Sequence, residues 1–185
     1  ITRELMSAEV TYKNIDVRIN SIGGEVYTGI AIFNALKASK ANITIYVDGI
    51  AASMASAIAL CGKPLYMSRY ARLMLHSVSG GCYGNTKDMK DMISQMESLE
   101  DTLCDMYASK LGQDKETIKA NYFDGTDHWL TAEQAKELGF IDGIYDADPV
   151  PEESTPEQIY TIFNNRLNES QNILDMNLEE LKKRP

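Results

Sequence analysis

Ile15, Val17 and Ile19 alternate with polar residues at period two, the pattern of a half-buried strand. The alternation breaks at Ser21-Ile22-Gly23-Gly24, and beyond it Val26, Ile30, Phe33 and Leu36 recur at helical spacing. A second alternating run, Ile43, Ile45 and Val47, ends at Asp48-Gly49 and gives way to a helix of small residues over 51–60. Extended runs at 64–67 and 72–75 flank a turn at 68–70. Strands interleaved with helices predict βαβ units and a largely parallel sheet, so the fold class is α/β.

The next predicted element is a long helix over 85–111. Its apolar residues Met92, Met96, Leu99, Leu103 and Met106 are spaced four, three, four, three, a narrow coiled-coil-like seam. Such a seam packs either on a helix of another subunit or within its own chain, and the sequence leaves both open. Asp114 caps a short helix to residue 120. Thr131 and Gln134 form a capping box for a helix over 132–138, closed by Gly139. A last strand over 140–145 completes a domain of residues 1–146. Residues 147–185 form a tail: the stretch 146–156 holds three prolines and four acidic residues and reads as a linker or arm. Ile159, Phe163 and Leu167 then mark one face of a modest helix, and 177–183 is weakly helical.

Composition narrows the function classes. With 185 residues, 44% apolar and 24% charged, the chain fits one ordinary globular domain. The net charge is −9 and the 18 basic residues form no dense cluster, which argues against a nucleic-acid partner. Cys61, Cys82 and Cys104 have spacings of neither a disulfide framework nor a metal site, so reduced thiols, a cytoplasmic location and no metal are expected. No apolar run approaches the roughly 18 residues of a membrane span. Residues 1–10 carry acidic side chains and no apolar core, unlike a secretion signal. The start at Ile1 leads us to expect native sequence before it.

The candidate chemistry begins at Ser53, at a strand-to-helix corner where a hydroxyl is exposed and a helix N-terminus favours developing negative charge. Ala51, Ala52 and Ala55 leave room for a substrate backbone. Serine is also an ordinary N-cap, the reading favoured when this residue is taken alone. Gly23 and Gly24 end the strand expected beside the one leading to Ser53. There, glycine lets the backbone turn its N–H groups toward a ligand, and the N–H groups of Gly24 and Met54 are candidate donors to an oxyanion. The chain has two histidines. His76 sits at a strand tip; His128 adjoins Asp127, but neighbours on an extended chain point apart. Asp127 is placed to hold an imidazole in one tautomer, with Asp124 competing for that role.

These segments resemble those of a known family. Gly49-Ile50-Ala51-Ala52-Ser53-Met54-Ala55-Ser56 resembles the nucleophile motif of the Clp protease proteolytic subunit, ClpP. Asn20 to Val26 resembles its glycine-rich oxyanion segment, and Met74-Leu75-His76 with Gly80-Gly81 its histidine segment. The stretch from Asp127 to Ala135, followed by Gly139 to Asp142, resembles the one that carries the triad aspartate. The likeness covers about residues 15–146. It implies the ClpP/crotonase-like fold of ββα repeats with a long protruding handle helix. It also implies a serine endopeptidase using Ser53, His76 and Asp127, with an oxyanion hole at Gly23, Gly24 and Met54. No cofactor is expected. The implied partners are polypeptide substrates, further copies in heptameric rings, and an AAA+ unfoldase or phage capsid and scaffold proteins.

The chain departs from the pattern at Ile22, where the housekeeping enzymes have proline, and at Val78, near which they also have proline. The N-terminal segment is short, and the acidic tail is atypical. These features resemble the phage and prophage ClpP-like proteases that mature heads, with loosening of the oxyanion loop expected from Ile22. Two competing functions remain at this level: a crotonase-like acyl-CoA enzyme, and an inactive assembly subunit of the same fold.

Overall fold

The structure, a computed structural model, describes residues 1–145; the linker and tail helices expected farther on lie outside the described residues. The elements in order are α1 (Thr2–Thr11), β1 (Asn14–Ser21), α2 (Val26–Ala38), β2 (Asn42–Ala52), α3 (Met54–Ala59), β3 (Leu65–Met67) and β4 (Arg72–Leu75). Then come α4 (Thr86–Leu111), α5 (Lys115–Tyr122), β5 (His128–Thr131), α6 (Ala132–Glu137) and β6 (Gly143–Ile144). Among the described residues no helix is long and apolar enough to cross a membrane.

The six strands form one sheet in the order β5-β4-β2-β3-β6, with β1 also on β2. Every pairing is parallel except β4 with β5. The predicted alternation sets which face is buried. Ile45, Val47, Leu65, Met67, Leu73 and Leu75 are wholly inaccessible, each contributing on the order of 1.5–3 kcal/mol by leaving water. Tyr46, Tyr66 and Arg18 occupy the other face, where Arg18 pairs with Asp48 and lies over the Tyr46 ring.

Strand β2 differs from expectation in a way that matters for the site. It passes through Asp48-Gly49 and runs to Ala52, so the following helix starts at Met54 rather than at residue 51. It pairs with β3 over Ile45–Val47 and with β4 over Ile50–Ala52. Against β1 the register slips between Ile19↔Val47 and Ser21↔Ala51, two steps on one strand facing four on the other. Gly49 sits in this irregularity, where a Cβ would lie 2.8 Å from Asn20 Oδ1. A turn-like dipeptide therefore marks a bulge and change of partner inside one strand.

Helix α1 was not expected from the pattern: Leu5 is its one buried residue, too little to give a periodic signal. Helices α5 and α6 follow the cap signals, with the Asp114 side chain accepting from Thr117 N–H and a full Thr131–Gln134 capping box. The terminal strand is shorter than predicted, just Gly143–Ile144.

Helix α4 spans the predicted residues, with an Asn85–Asp88 capping box and Gly112 at φ 64° as its C-cap. Its seam divides in two. Leu103 and Met106 are buried in the body with Cys104 and Tyr107, whereas Met92, Met96 and Leu99, nearer its start, are half-buried. Tyr107 joins α4 to α3: its hydroxyl lies 2.8 Å from Ser56 Oγ, which donates to the Ser53 carbonyl at 2.6 Å. Burial pushes the Tyr107 phenol well up from its ordinary value, partly offset by Ser56, so it stays protonated and acts as donor.

This relay predicts an order of stabilities. Ser56→Ala strands a buried phenol without an acceptor and lowers unfolding free energy by ~1–3 kcal/mol, whereas Tyr107→Phe leaves Ser56 bonded to Ser53 and costs ~0.5–1.5 kcal/mol. Urea denaturation at fixed protein concentration measures both, and a larger loss from Tyr107→Phe contradicts the relay.

Candidate active site

Ser53 joins β2 to α3, and its backbone is the local peculiarity of the chain. Among the described residues it is the one non-glycine at positive φ, with φ 54° and ψ −128°. It occupies the N-cap position of α3, yet its side chain makes no capping hydrogen bond. The N-cap reading of this serine thus fails, because the hydroxyl is turned elsewhere: Ser53 Oγ lies 2.7 Å from His76 Nε2. The Ser53 N–H donates to the Met74 carbonyl at 3.0 Å, so the strand that ends beside His76 also holds the serine backbone.

His76 follows β4 and is 22% exposed. Its other ring nitrogen, Nδ1, faces Asp127 Oδ1 at 3.6 Å. That is longer than a hydrogen bond, whose usual range ends near ~3.2 Å, but close enough for charge attraction. Asp124 is engaged differently. Its Oδ1 lies 2.8 Å from His128 Nε2 and accepts from the Thr126 N–H at 3.0 Å. Those bonds, the one from His128 first, lower the Asp124 carboxyl to about 2. The two histidines and two aspartates therefore sort into two pairs, and Asp127 is the carboxylate that faces His76.

The glycine segment meets Ser53 closely. A Cβ on Gly23, at φ 99°, would lie 2.7 Å from the Ala52 carbonyl oxygen, 2.8 Å from Ser53 Cβ and 3.0 Å from Met54 N, which bars a side chain. The Gly23 N–H donates to Ser21 Oγ at 3.1 Å, so this residue supplies close approach while its donor is used within the turn. Gly24, Met54, Ser53 and His76 all line one small cavity of about 60 Å³. Met54 opens α3, and a first-turn N–H has no acceptor within its own helix.

A second hollow of about 270 Å³ continues from the first, sharing Gly24, Val26, Val78 and Ser79 with it. Met92, Met96 and Leu99 of α4 form its far wall. Part of the methionine-rich seam thus lines a groove leading to Ser53. The Glu100 carboxylate accepts from the Val78 N–H at 3.0 Å and ties the segment after His76 to α4.

Sequence reasoning did not single out Ser56, Tyr107 or Glu100. A serine inside a small-residue helix, and a tyrosine and a glutamate on a long polar one, carry no local signal, since their partners are 51 residues apart in one case and 22 in the other. Chemically, the arrangement offers a hydroxyl in contact with a ring nitrogen, a carboxylate at the opposite nitrogen, and a helix N-terminus beside the hydroxyl. An imidazole so placed can accept a hydroxyl proton and then share the resulting charge with the carboxylate.

Comparison with known proteins covers the stretch of chain that holds these residues. The family model described as Clp protease matches residues 1–148. The "ATP-dependent Clp protease proteolytic subunit 2" of Corynebacterium efficiens is 35% identical over 142 residues, covering 76% of this chain and 70% of that protein. The subunit 2 protein of Rhodococcus jostii is 34% identical over 142 residues, with 76% and 72% covered. The "ATP-dependent Clp protease proteolytic subunit 1" of Chlamydia abortus is 33% identical over 130 residues, with 68% and 67% covered. With the family model matched over most of its length and relatives above 30% identity, this chain belongs to the Clp protease family and is a ClpP-like peptidase of α/β fold.

Proposed function

We propose that the chain is a serine endopeptidase in which Ser53 is the nucleophile, His76 the general base and acid, and Asp127 the carboxylate that orients His76. The carrying observation is the 2.7 Å contact between His76 Nε2 and the hydroxyl of a serine at positive φ. In this reading Ser53 Oγ attacks a peptide carbonyl carbon while its proton passes to His76 Nε2. The resulting oxyanion is held by the N–H groups of Gly24 and Met54, with Gly23 keeping the two segments in register. Collapse breaks the C–N bond, and His76 returns the proton to the departing amine. Water, deprotonated by His76, then releases the acyl group from Ser53. Asp127, facing Nδ1, keeps the proton of His76 on that nitrogen. Polypeptide substrate lies along the groove, where Val26, Met92, Met96 and Leu99 suit an apolar side chain.

The serine–histidine contact favours this chemistry over an acyl-CoA reaction, which needs no serine nucleophile, and over an inactive subunit, whose side chains would stand out of register. In this reading the protein works as rings of further copies with an ATP-driven unfoldase, a partnership supported by the words ATP-dependent in its relatives' names. The Ile22 substitution and the acidic C-terminal stretch support a narrower role in processing phage capsid or scaffold protein. Degradation of an unfolded protein by the assembled enzyme without any ATPase separates the second role from the first.

Three substitutions test the site. Ser53→Ala abolishes fluorophosphonate labelling and lowers peptide hydrolysis by about a millionfold; labelling equal to the parent's rejects the nucleophile. Asp127→Asn lowers kcat by up to about ten-thousandfold through the wrong imidazole tautomer. Gly23→Ala displaces the serine corner by steric contact, and misplacement on the order of 1 Å reduces kcat about a hundredfold. A fully active Gly23→Ala enzyme would show that the close approach has no part in turnover.

A further inference from the structure

Asp127 carries its role from an exposed position: Asp124, Gly125, Thr126 and Asp127 are four consecutive exposed residues between buried Phe123 and buried Leu130. Apolar packing cannot fix a carboxylate in such a stretch, so polar contacts must set its place. We propose that Ser77 and the Asp124–His128 pair are positioning residues that clamp this loop and thereby hold the Asp127 carboxylate against His76. The inference rests on the reading of Asp127 as the partner of His76.

Both ends of the clamp are visible. Gly125, at φ 87°, donates its N–H to Ser77 Oγ at 3.1 Å, so the loop is tied to the residue directly after His76. On the other side, Asp124 accepts from the Thr126 N–H at 3.0 Å and the Thr126 hydroxyl at 2.8 Å. The same carboxylate meets His128 Nε2 at 2.8 Å, closing the chain across Asp127. His128 is itself anchored. It pairs with Leu75 in the β4–β5 ladder, and its ring stands at 83° to Tyr122, with centroids 5.7 Å apart. Tyr122 in turn packs edge-on against the inaccessible Phe140 at 5.3 Å. Asp127 thus lies between a residue held by Asp124 and one held by the sheet. Ser77 lines the cavity beside His76 but makes no hydrogen bond to Ser53, and its side chain is engaged by the loop, accepting from the Gly125 N–H.

The test is a double-mutant cycle on the full, assembled protein. Ser77→Ala and His128→Phe, which keeps the ring but removes its nitrogens, are made alone and with Asp127→Asn. Each single variant is expected to lower kcat about 5- to 30-fold with KM within about twofold, as loss of one or two loop hydrogen bonds implies. Native mass stays that of the parent, and Ser77→Thr restores most of the rate. In the Asp127→Asn background each change lowers kcat by less than about twofold, because the group it positions is gone. Full-sized losses in that background, losses confined to KM, losses that track disassembly, or parental rates in both single variants overturn the clamp. Parental activity of Asp127→Asn alone overturns the reading of Asp127 itself, which keeps the two failures distinguishable.

Discussion

The backbone of Ser53 lies in a region that L-residues rarely adopt, at φ 54° and ψ −128°, and such a conformation costs on the order of 1–3 kcal/mol. The surroundings hold it from three directions. Its N–H is bound by the Met74 carbonyl, and its carbonyl accepts from the Ser56 N–H at 3.0 Å and the Ser56 hydroxyl at 2.6 Å. Gly23 packs against its Cβ with no space for a side chain. Strain persists where neighbours over-determine it, and here those neighbours are β4, α3 and the turn after β1. The reward is a hydroxyl freed from capping and aimed at an imidazole.

One short strand sets the remaining geometry. In β4, Leu73, Met74 and Leu75 are all buried, and the strand lies between β2 and β5 in the sheet. Its Met74 carbonyl fixes the serine, its end presents His76, and its antiparallel partner β5 brings the chain back beside Asp127. All three side chains are therefore referenced to a single ladder. Helix α4 adds a second reference from outside the sheet, through Tyr107 beneath the serine and Glu100 behind Val78. Movement of α4 against the body would disturb both contacts together, which couples the handle-like helix to the reacting groups.

What could be read from sequence follows from how local each signal is. Alternation in β1 and the first half of β2, the Asn85–Leu111 segment, and the Thr131–Gln134 box are all written within a few residues of where they act, and the structure places them as read. Asp48-Gly49 misleads because a bulge with a change of strand partner uses the same residues as a turn, and the difference lies in β3 and β4, up to 25 positions away. Ser53 was ambiguous for a related reason: a capping serine and a serine at positive φ look identical in a sequence. Choosing between Asp124 and Asp127 required knowing which histidine each faces, and no spacing rule supplies that. The resemblance to a family supplied the long-range pairing that periodicity lacks.

The departures at Ile22 and Val78 can be argued from their own surroundings. Proline at 22 would fix φ, and its absence predicts a looser oxyanion segment. Yet Ile22 is 78% exposed, and the turn is constrained at its neighbours: Ser21 Oγ accepts from the Gly23 N–H, and Gly23 is wedged against Ala52, Ser53 and Met54. A side-chain bond and a steric fit thus restrain the segment in which a ring would otherwise do so. Val78 makes the opposite point. Its N–H is the donor to Glu100, and a proline at that position would have none to give. The contact between α4 and the segment after His76 thus depends on a backbone N–H at residue 78.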